Sequence, residues 1–426
     1  MSTLIAGRGA ARITLASIAA LLIALPAVAG NDFHLSVVMQ MLLGIVLALA
    51  YDMLLGQGGM LSFGHAIYYG FGGFCAVHLM RAIADGLPLP VPLLPLAGGL
   101  AGLALALLFG AVSVRRAGMS FAMISLGIGE LVYIGAQMFP QFFGNDSGVS
   151  GDRVSGPRLP AFDLGPTWQV YYLVLAWAVL CIVLIHRYSR TPVGSISRAV
   201  HDNPERIEFL GYSSQRVRYI TFAISGLFAG VAGGTYAIVY EIVAINSLGL
   251  AASANMMVMA YIGGIGVFWG PVVGAASITA MQLLLSETTS AWLMYYGLMF
   301  VLTVMFMPEG LSGLITAHRG MLRRDVVRDL GLPYAKAIGA ALLIAAGAVG
   351  LIEAGYLVAA TRAVTRASNT LNLFGLRVMP TSLWYLGGCL VLAGIGVALG
   401  RRVMPAAGHA YDAARRRLAG KPGMRP

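Results

Sequence analysis

Residues 164–186 and 219–240 of this chain contain no Asp, Glu, Lys or Arg. An apolar run of about 20 residues is long enough to cross a bilayer as a helix. Lipid leaves it little choice of fold, because every backbone polar group must then be paired inside the segment. Runs of this kind recur along the sequence, so the chain reads as an all-α polytopic membrane protein. Composition agrees: the 426 residues are 58% hydrophobic and 11% charged, with a mean hydropathy of +0.80, unlike a soluble domain. The formal charge of +11 does not indicate nucleic acid, since the basic residues are scattered between apolar runs and not gathered with aromatics. Cys75, Cys181 and Cys389 each lie in an apolar segment without a CxxC or histidine partner, and read as buried thiols, not as a disulfide or metal site.

Between the two opening runs lies a polar loop, 187–218, in which Arg187, Arg190, Arg198, Arg206, Arg216 and Arg218 outnumber Asp202, Glu205 and Glu208. A short Arg-rich loop between spans is expected on the cytoplasmic side. Asn203-Pro204-Glu205 suits a helix start, because Asn can cap, Pro fits the first turn and Glu complements the positive helix end. Gly211 can close that helix. The expected result is a short, polar, capped helix that a cytosolic partner can grip, with little apolar face of its own.

The remaining spans follow in order. Arg8 and Arg12 precede an apolar run over 13–30, read as a retained first helix, with a cleaved signal peptide ending near Ala27-Val28-Ala29 as the alternative. A second span covers 35–55. It leads into GQGGMLSFGHAIYYGFGGF (56–74), where seven of nineteen residues are glycine, and a third span begins near Ser62 or His65. The fourth falls within 86–114 and the fifth over 119–139, while the Gly-, Ser- and Pro-rich stretch 140–168 reads as an outer surface loop. Residues 248–286 are uncharged and too long for one crossing, so they split at 266–271 within YIGGIGVFWGPVVGA; a further span covers 292–314. This makes about ten spans in 1–320 and about two more in 321–426, with both termini in the cytosol. The arrangement leaves outside only Arg81, Arg153, Arg158, Arg362, Arg366 and Arg377; the basic loop holding the last three runs against the positive-inside rule.

Two glycine-rich segments echo each other across the first 320 residues. Glycine inside a span permits close helix packing or a break, and interrupted segments in transporters border the substrate route. The candidate route residues are therefore Gly56, Gln57, Gly58, Gly59, Ser62 and His65 in the first segment, and Asn255, Gly263, Gly264 and Gly266 in or near the second. Gly-rich packing and a packed histidine are the plain alternatives. No GxxxxGK[ST] loop, HExxH or other ligand spacing occurs, so no catalytic or metal residue is expected. Asp52 and Glu130 are acids within spans, which keeps open a proton-coupled secondary carrier of a small polar solute. A non-transporting membrane scaffold is the third class; it leaves the glycine-rich pair unexplained.

Three segments in this order, LLGQGGMLSFGHAIYYGFGGF (54–74), TPVGSISRAVHDNPERIEFLGYSSQRVRYITFAISGLFAGVAGGTYA (191–237) and VMAYIGGIGVFWGPVVGAA (258–276), followed by MPEGLSGL (307–314), resemble the permease subunits of branched-chain amino-acid ABC importers of the LivM type. The likeness covers roughly 35–318; residues 321–426, with two added helices and a basic tail, are not part of the usual pattern. The resemblance implies a multi-pass permease in a bacterial inner membrane, paired with a second homologous permease subunit, two cytoplasmic ABC ATPase subunits that use ATP and Mg, and a periplasmic substrate-binding protein. It makes Arg198, Asp202, Asn203, Glu205, Arg206, Glu208 and Gly211 the segment that couples to an ATPase, with Glu205 and Glu208 meeting basic groups there. It implies branched-chain amino acids or related small solutes as substrate, with urea or short amides as the alternative. Asp52 departs from the family, which more often has a neutral polar residue there.

Overall fold

The computed structural model describes residues 17, 20–27, 31–145, 147–155, 163–289, 291–307, 309–319, 324–363, 371–373, 376–378 and 383–419. Half of the expected first span, 13–30, lies outside the described residues; residues 17 and 20–27, which are described, are helical. From there the helices follow the apolar runs: α1 (Asp32–Asp52), α2 (Ala66–Ala84), α3 (Leu94–Ser113), α4 (Met119–Gln137) and α5 (Thr167–Ser189). The polar loop contributes α6 (Pro192–Asp202) and α7 (Pro204–Phe209), after which come α8 (Ser214–Tyr240), α9 (Leu250–Gly263), α10 (Gly270–Thr288), α11 (Trp292–Phe306) and α12 (Gly310–Arg319). The tail holds α13 (Arg324–Ala363) and α14 (Leu383–Ala419).

Among the described residues seven helical segments are long and apolar enough to cross a membrane: α1 with its continuation to Gln57, α3 with the turn before it, α4, α5, α8, and parts of α13 and α14. An eighth is added if α11 and α12, bent by 50° at their junction, form one span. The chain is thus an all-α, multi-pass membrane protein. Helices α2, α9 and α10 stand at three further expected spans but are shorter or less apolar. α9 has 14 residues, while His78 and Arg81 in α2, and the Ser, Thr and Gln of α10, dilute their hydropathy.

Two compact units emerge. The first comprises 1–281 with 303–312, and the second 282–302 with 313–426. In the first, α8 is the hub and packs along α3, α2 and α1, while α1 also packs on α5 and α9. Small residues make this possible. A Cβ on Gly230 would overlap the Gly98 carbonyl, and one on Gly72 would lie 2.6 Å from the Gly230 carbonyl, so three backbones meet without side chains between them. The outer loop is less irregular than its composition suggests: its strand β1 (Val149–Ser150) pairs antiparallel with β2 (Ile242–Val243) just past α8. Arg153 fastens it further, donating to the carbonyls of Leu164 at 2.8 Å and Val239 at 3.2 Å.

In the second unit α13 and α14 pack through small residues, with Gly347 set against the Ala393 backbone. Glu353 of α13 is buried, and is a third acid in an apolar stretch of the sequence, in addition to Asp52 and Glu130. It accepts hydrogen bonds from Thr289 Oγ1 at 2.5 Å and Tyr295 OH at 2.8 Å, which offsets the cost of placing it there.

Candidate functional site

Helix α1 does not end cleanly. After Asp52 its hydrogen bonding widens into a π-helical segment, Met53–Gln57, and the chain then leaves helix until α2 begins at Ala66. Such segments inside membrane helices concentrate at functional positions. Gly59, at φ +64, makes the turn. Non-helical backbone enclosed in such a bundle needs partners, and three helices supply them. Tyr51 of α1 donates to the Ser62 carbonyl at 2.9 Å, Ser125 of α4 accepts from the Phe63 N–H at 3.1 Å, and Ser253 of α9 accepts from the Ala66 N–H at 2.8 Å. Ser225 of α8 lies 3.3 Å from His65 Nε2 and donates to the Ala50 carbonyl.

The second glycine-rich segment forms the break between α9 and α10. Gly264 and Gly266 have φ of +111 and +84, values that favour glycine. Gly263 has no room for a side chain against Gly270, and Gly264 packs against Ser312 and the Glu309 carbonyl, within the MPEGLSGL stretch. The two breaks touch. The carboxylate of Asp52 accepts the Gly266 backbone N–H, and a Cβ on Gly56 would overlap that carboxylate and stand 3.0 Å from Gly266 N. Around the junction Tyr51, Leu55, Ala66, Met256 and Ala260 form an apolar cluster, edged by Tyr69 and Tyr261.

The structure therefore brings together Gly56, Gln57, Gly58, Gly59, Ser62 and His65 on one side and Gly263, Gly264 and Gly266 on the other. Asn255 stands half-buried on α9, and Glu130 half-buried on α4. Asp52, Gln57, Ser62 and His65 are buried, and each keeps one polar atom, Asp52 Oδ1, Gln57 Oε1, Ser62 Oγ and His65 Nδ1, without a hydrogen-bond partner among the described residues. Buried polar groups left unpaired are costly, so each of these calls for a reason to be kept, such as a role in function.

The polar loop is the other half of the site. Thr191 caps α6 by accepting the Gly194 N–H at 3.2 Å, and Asn203 caps α7 by accepting the Arg206 N–H at 3.0 Å. Gly211, at φ +87, turns the chain back toward α8. Asp202, Asn203, Glu205, Arg206 and Glu208 are exposed. Arg198 is engaged locally, donating to the Ser189 carbonyl at 2.9 Å at the end of α5.

One expectation is corrected here: the short helix, expected to have little apolar face of its own, carries apolar side chains on two sides. Val200, Ile207 and Val217 form a small core with Ile196 and Ala199, while Phe209 is 90% exposed and Leu210 67% exposed. At about 100° per residue, Phe209 falls on the opposite side of α7 from Ile207. An apolar pair inside a charged loop was the available signal. Ser125 and Ser253, which pair the broken backbone, and Ser225, which meets His65, carry no such signal in the sequence.

Irregular backbone within a membrane protein is stable where it is enclosed by protein or borders a route through it, and the described bundle has the build of a membrane transport permease. Comparison with known proteins makes this specific. Residues 33–307 match the family described as the permease component of the branched-chain amino acid transport system, and the chain belongs to that family. It is 25% identical over 290 residues to the high-affinity branched-chain amino acid transport system permease protein LivM of Escherichia coli K12, covering 63% of this chain and 67% of that protein. To LivH of the same organism it is 27% identical over 293 residues, 63% of this chain and 90% of LivH. The guanosine ABC transporter permease protein NupQ of Bacillus subtilis 168 is 35% identical over 69 residues, 16% of this chain and 22% of NupQ. No solved structure matches the chain.

Proposed function

We propose that this chain is one permease subunit of an ATP-driven importer in a bacterial inner membrane, and that its loop 187–218 docks on a cytoplasmic ATPase subunit. The observation that carries the reading is the build of α7: an exposed apolar knob, Phe209 and Leu210, rimmed by Asp202, Glu205, Arg206 and Glu208. An apolar centre with a mixed charged rim is the anatomy of a protein interface. A helix lying on anionic lipid would instead carry a basic face, and three acids at the rim disfavour that. ATP and Mg belong to the ATPase subunits. A second, homologous permease completes the route, and a periplasmic binding protein delivers substrate and sets most of its selectivity.

The substrate is a branched-chain amino acid or a related small solute. The relatives named for branched-chain amino acids and the one named for guanosine support a family that moves small polar molecules of more than one class. The junction of the two breaks is the route, with Gln57, Ser62 and His65 as its polar groups.

Purifying the chain from its native membrane and identifying its companions tests the reading. Two P-loop ATPases and a related permease are the expected result; a solitary chain that transports in liposomes under a proton gradient without ATP would replace it with the secondary carrier. Asp52→Asn separates the same classes. Asn still presents an oxygen to the Gly266 N–H, so ATP-driven uptake is expected to stay within a few-fold of wild type. A carrier that moves protons through Asp52 would lose transport altogether. Phe209→Ala should weaken ATPase association by about tenfold or more, as truncating an aromatic anchor does at other interfaces; co-purification at graded salt measures it.

A further inference from the structure

Helix α6 touches the broken span directly. Its buried side carries Gly194, Ser197 and Val200. Ser197 Oγ donates to the carbonyl of Gln57, the last residue of the π-helical segment, at 3.3 Å. Behind it Thr221 Oγ1 stands 3.1 Å from Ser197 Oγ and 2.9 Å from Tyr188 OH, so helices α5 and α8 brace the same hydroxyl. One turn further along α6, the imidazole of His201 lies against the Cα of Gly59, where an added Cβ would overlap the ring. Residues 197 and 201 are spaced to share a helix face. Both meet the chain within 57–59, where helix gives way to the irregular stretch that carries Ser62 and His65.

The far end of this element is the docking knob. α6 and α7 are joined at Asn203, the capping residue of α7, and share the core of Val200, Ile207 and Val217. A push on α7 therefore moves α6 as well, unless that core opens. The push arrives at a π-helical segment followed by glycines, where the Leu54 carbonyl accepts both the Gly58 and the Met60 N–H and the regular helical ladder is already broken.

Resting on the reading of the loop as the ATPase dock, we propose that Ser197 and His201 are positioning residues for transport: they transmit the ATPase's nucleotide state to residues 57–59 and so set the conformation of the 58–65 stretch. Neither is placed against the solute: Ser197 is buried beneath α6, while His201, itself exposed and next to Asp202, packs its ring on Gly59.

The test uses the whole importer purified with its ATPases, carrying Ser62→Cys as a reporter and Cys75, Cys181 and Cys389 replaced by serine. The rate of Ser62→Cys labelling by a small methanethiosulfonate reagent is compared without nucleotide and with ATP plus vanadate. A change of about tenfold between the two states is expected with Ser197 and His201 present, within the span usual for coupling between sites. In Ser197→Ala/His201→Ala the change should fall below about twofold, with ATPases still bound and hydrolysing ATP. Ser195→Ala, on the exposed side of α6, should keep the full change. Ser197→Ala alone, which removes one hydroxyl, should reduce it and guards against misfolding of the double variant. A full change persisting in the double variant overturns the proposal, as does loss of assembled complex in step with loss of the change, which would make the residues structural. If no ATPase accompanies even the parent chain, the docking reading fails first and this proposal falls with it.

Discussion

Reversing both acids of the loop, Glu205→Lys with Glu208→Lys, is expected to leave the chain in the membrane at wild-type amounts while abolishing ATP-driven uptake. The fold of the six-residue helix α7 rests on Ile207, the Asn203 cap and the Gly211 turn, whereas both acids are exposed. Three residues apart, they share one face of the helix. On the proposed reading they face basic groups of an ATPase, and reversal turns two attractions into like-charge contacts. Such contacts are strongly unfavourable at interfaces, so affinity should fall by on the order of 100-fold or more. The check is made in one set of membranes, by measuring chain abundance, ATPase co-purification and uptake together. Wild-type transport in the double variant would remove the coupling role from these residues. A parallel loss of abundance would mean that the acids serve folding instead.

Gly230→Leu is expected to cost the fold itself. The position lies on α8 where it crosses α3, and a Cβ there would overlap the Gly98 carbonyl and stand 3.0 Å from the Gly102 Cα. The obstacle is backbone, so no rotamer change relieves it. Overpacking a well-packed site costs roughly 1–3 kcal/mol when side chains can yield, and a main-chain obstacle places this case at or beyond the upper end. Because α8 also packs on α1 and α2, separating α8 from α3 disturbs the helices that carry the break at 53–65. Little detergent-stable chain should be recovered, and its thermal unfolding should shift well below wild type. Gly127→Leu is the matched control: it lies on the exposed side of α4, where an added Cβ would meet nothing within 4 Å, and should keep wild-type stability. Equal stability of the two variants would show that the α8–α3 crossing does not need glycine.

Much of this protein is legible from the chain in order. Apolar runs place the helices, and Asn203-Pro204-Glu205 with Gly211 marks α7 and its return turn, because hydropathy and capping act within a few residues. The split of 248–286 between Gly263 and Gly270 follows from glycine and proline in the same local way. The likeness between the two glycine-rich segments is also visible, but not that they touch.

Contact between distant residues is beyond such reading. In the sequence Asp52 counts as an acid within a span, yet its partner is a backbone N–H in the other break, at Gly266. Nothing beside Glu353 in the sequence points to the hydroxyls that receive it, on Thr289 and Tyr295, which lie about sixty residues earlier in the chain. Phe209 and Ile207 are both apolar and two residues apart; only the packing of Ile207 against Val200 and Val217 decides which one is left for a partner. By itself the sequence determined where helices form, where they stop and which loop is polar, since these depend on neighbours along the chain. The tertiary structure alone decided which breaks meet, which buried acids are satisfied and which loop helix bears on Gln57 and Gly59, since hydrogen bonds and close backbone contacts depend on distances that no local pattern encodes.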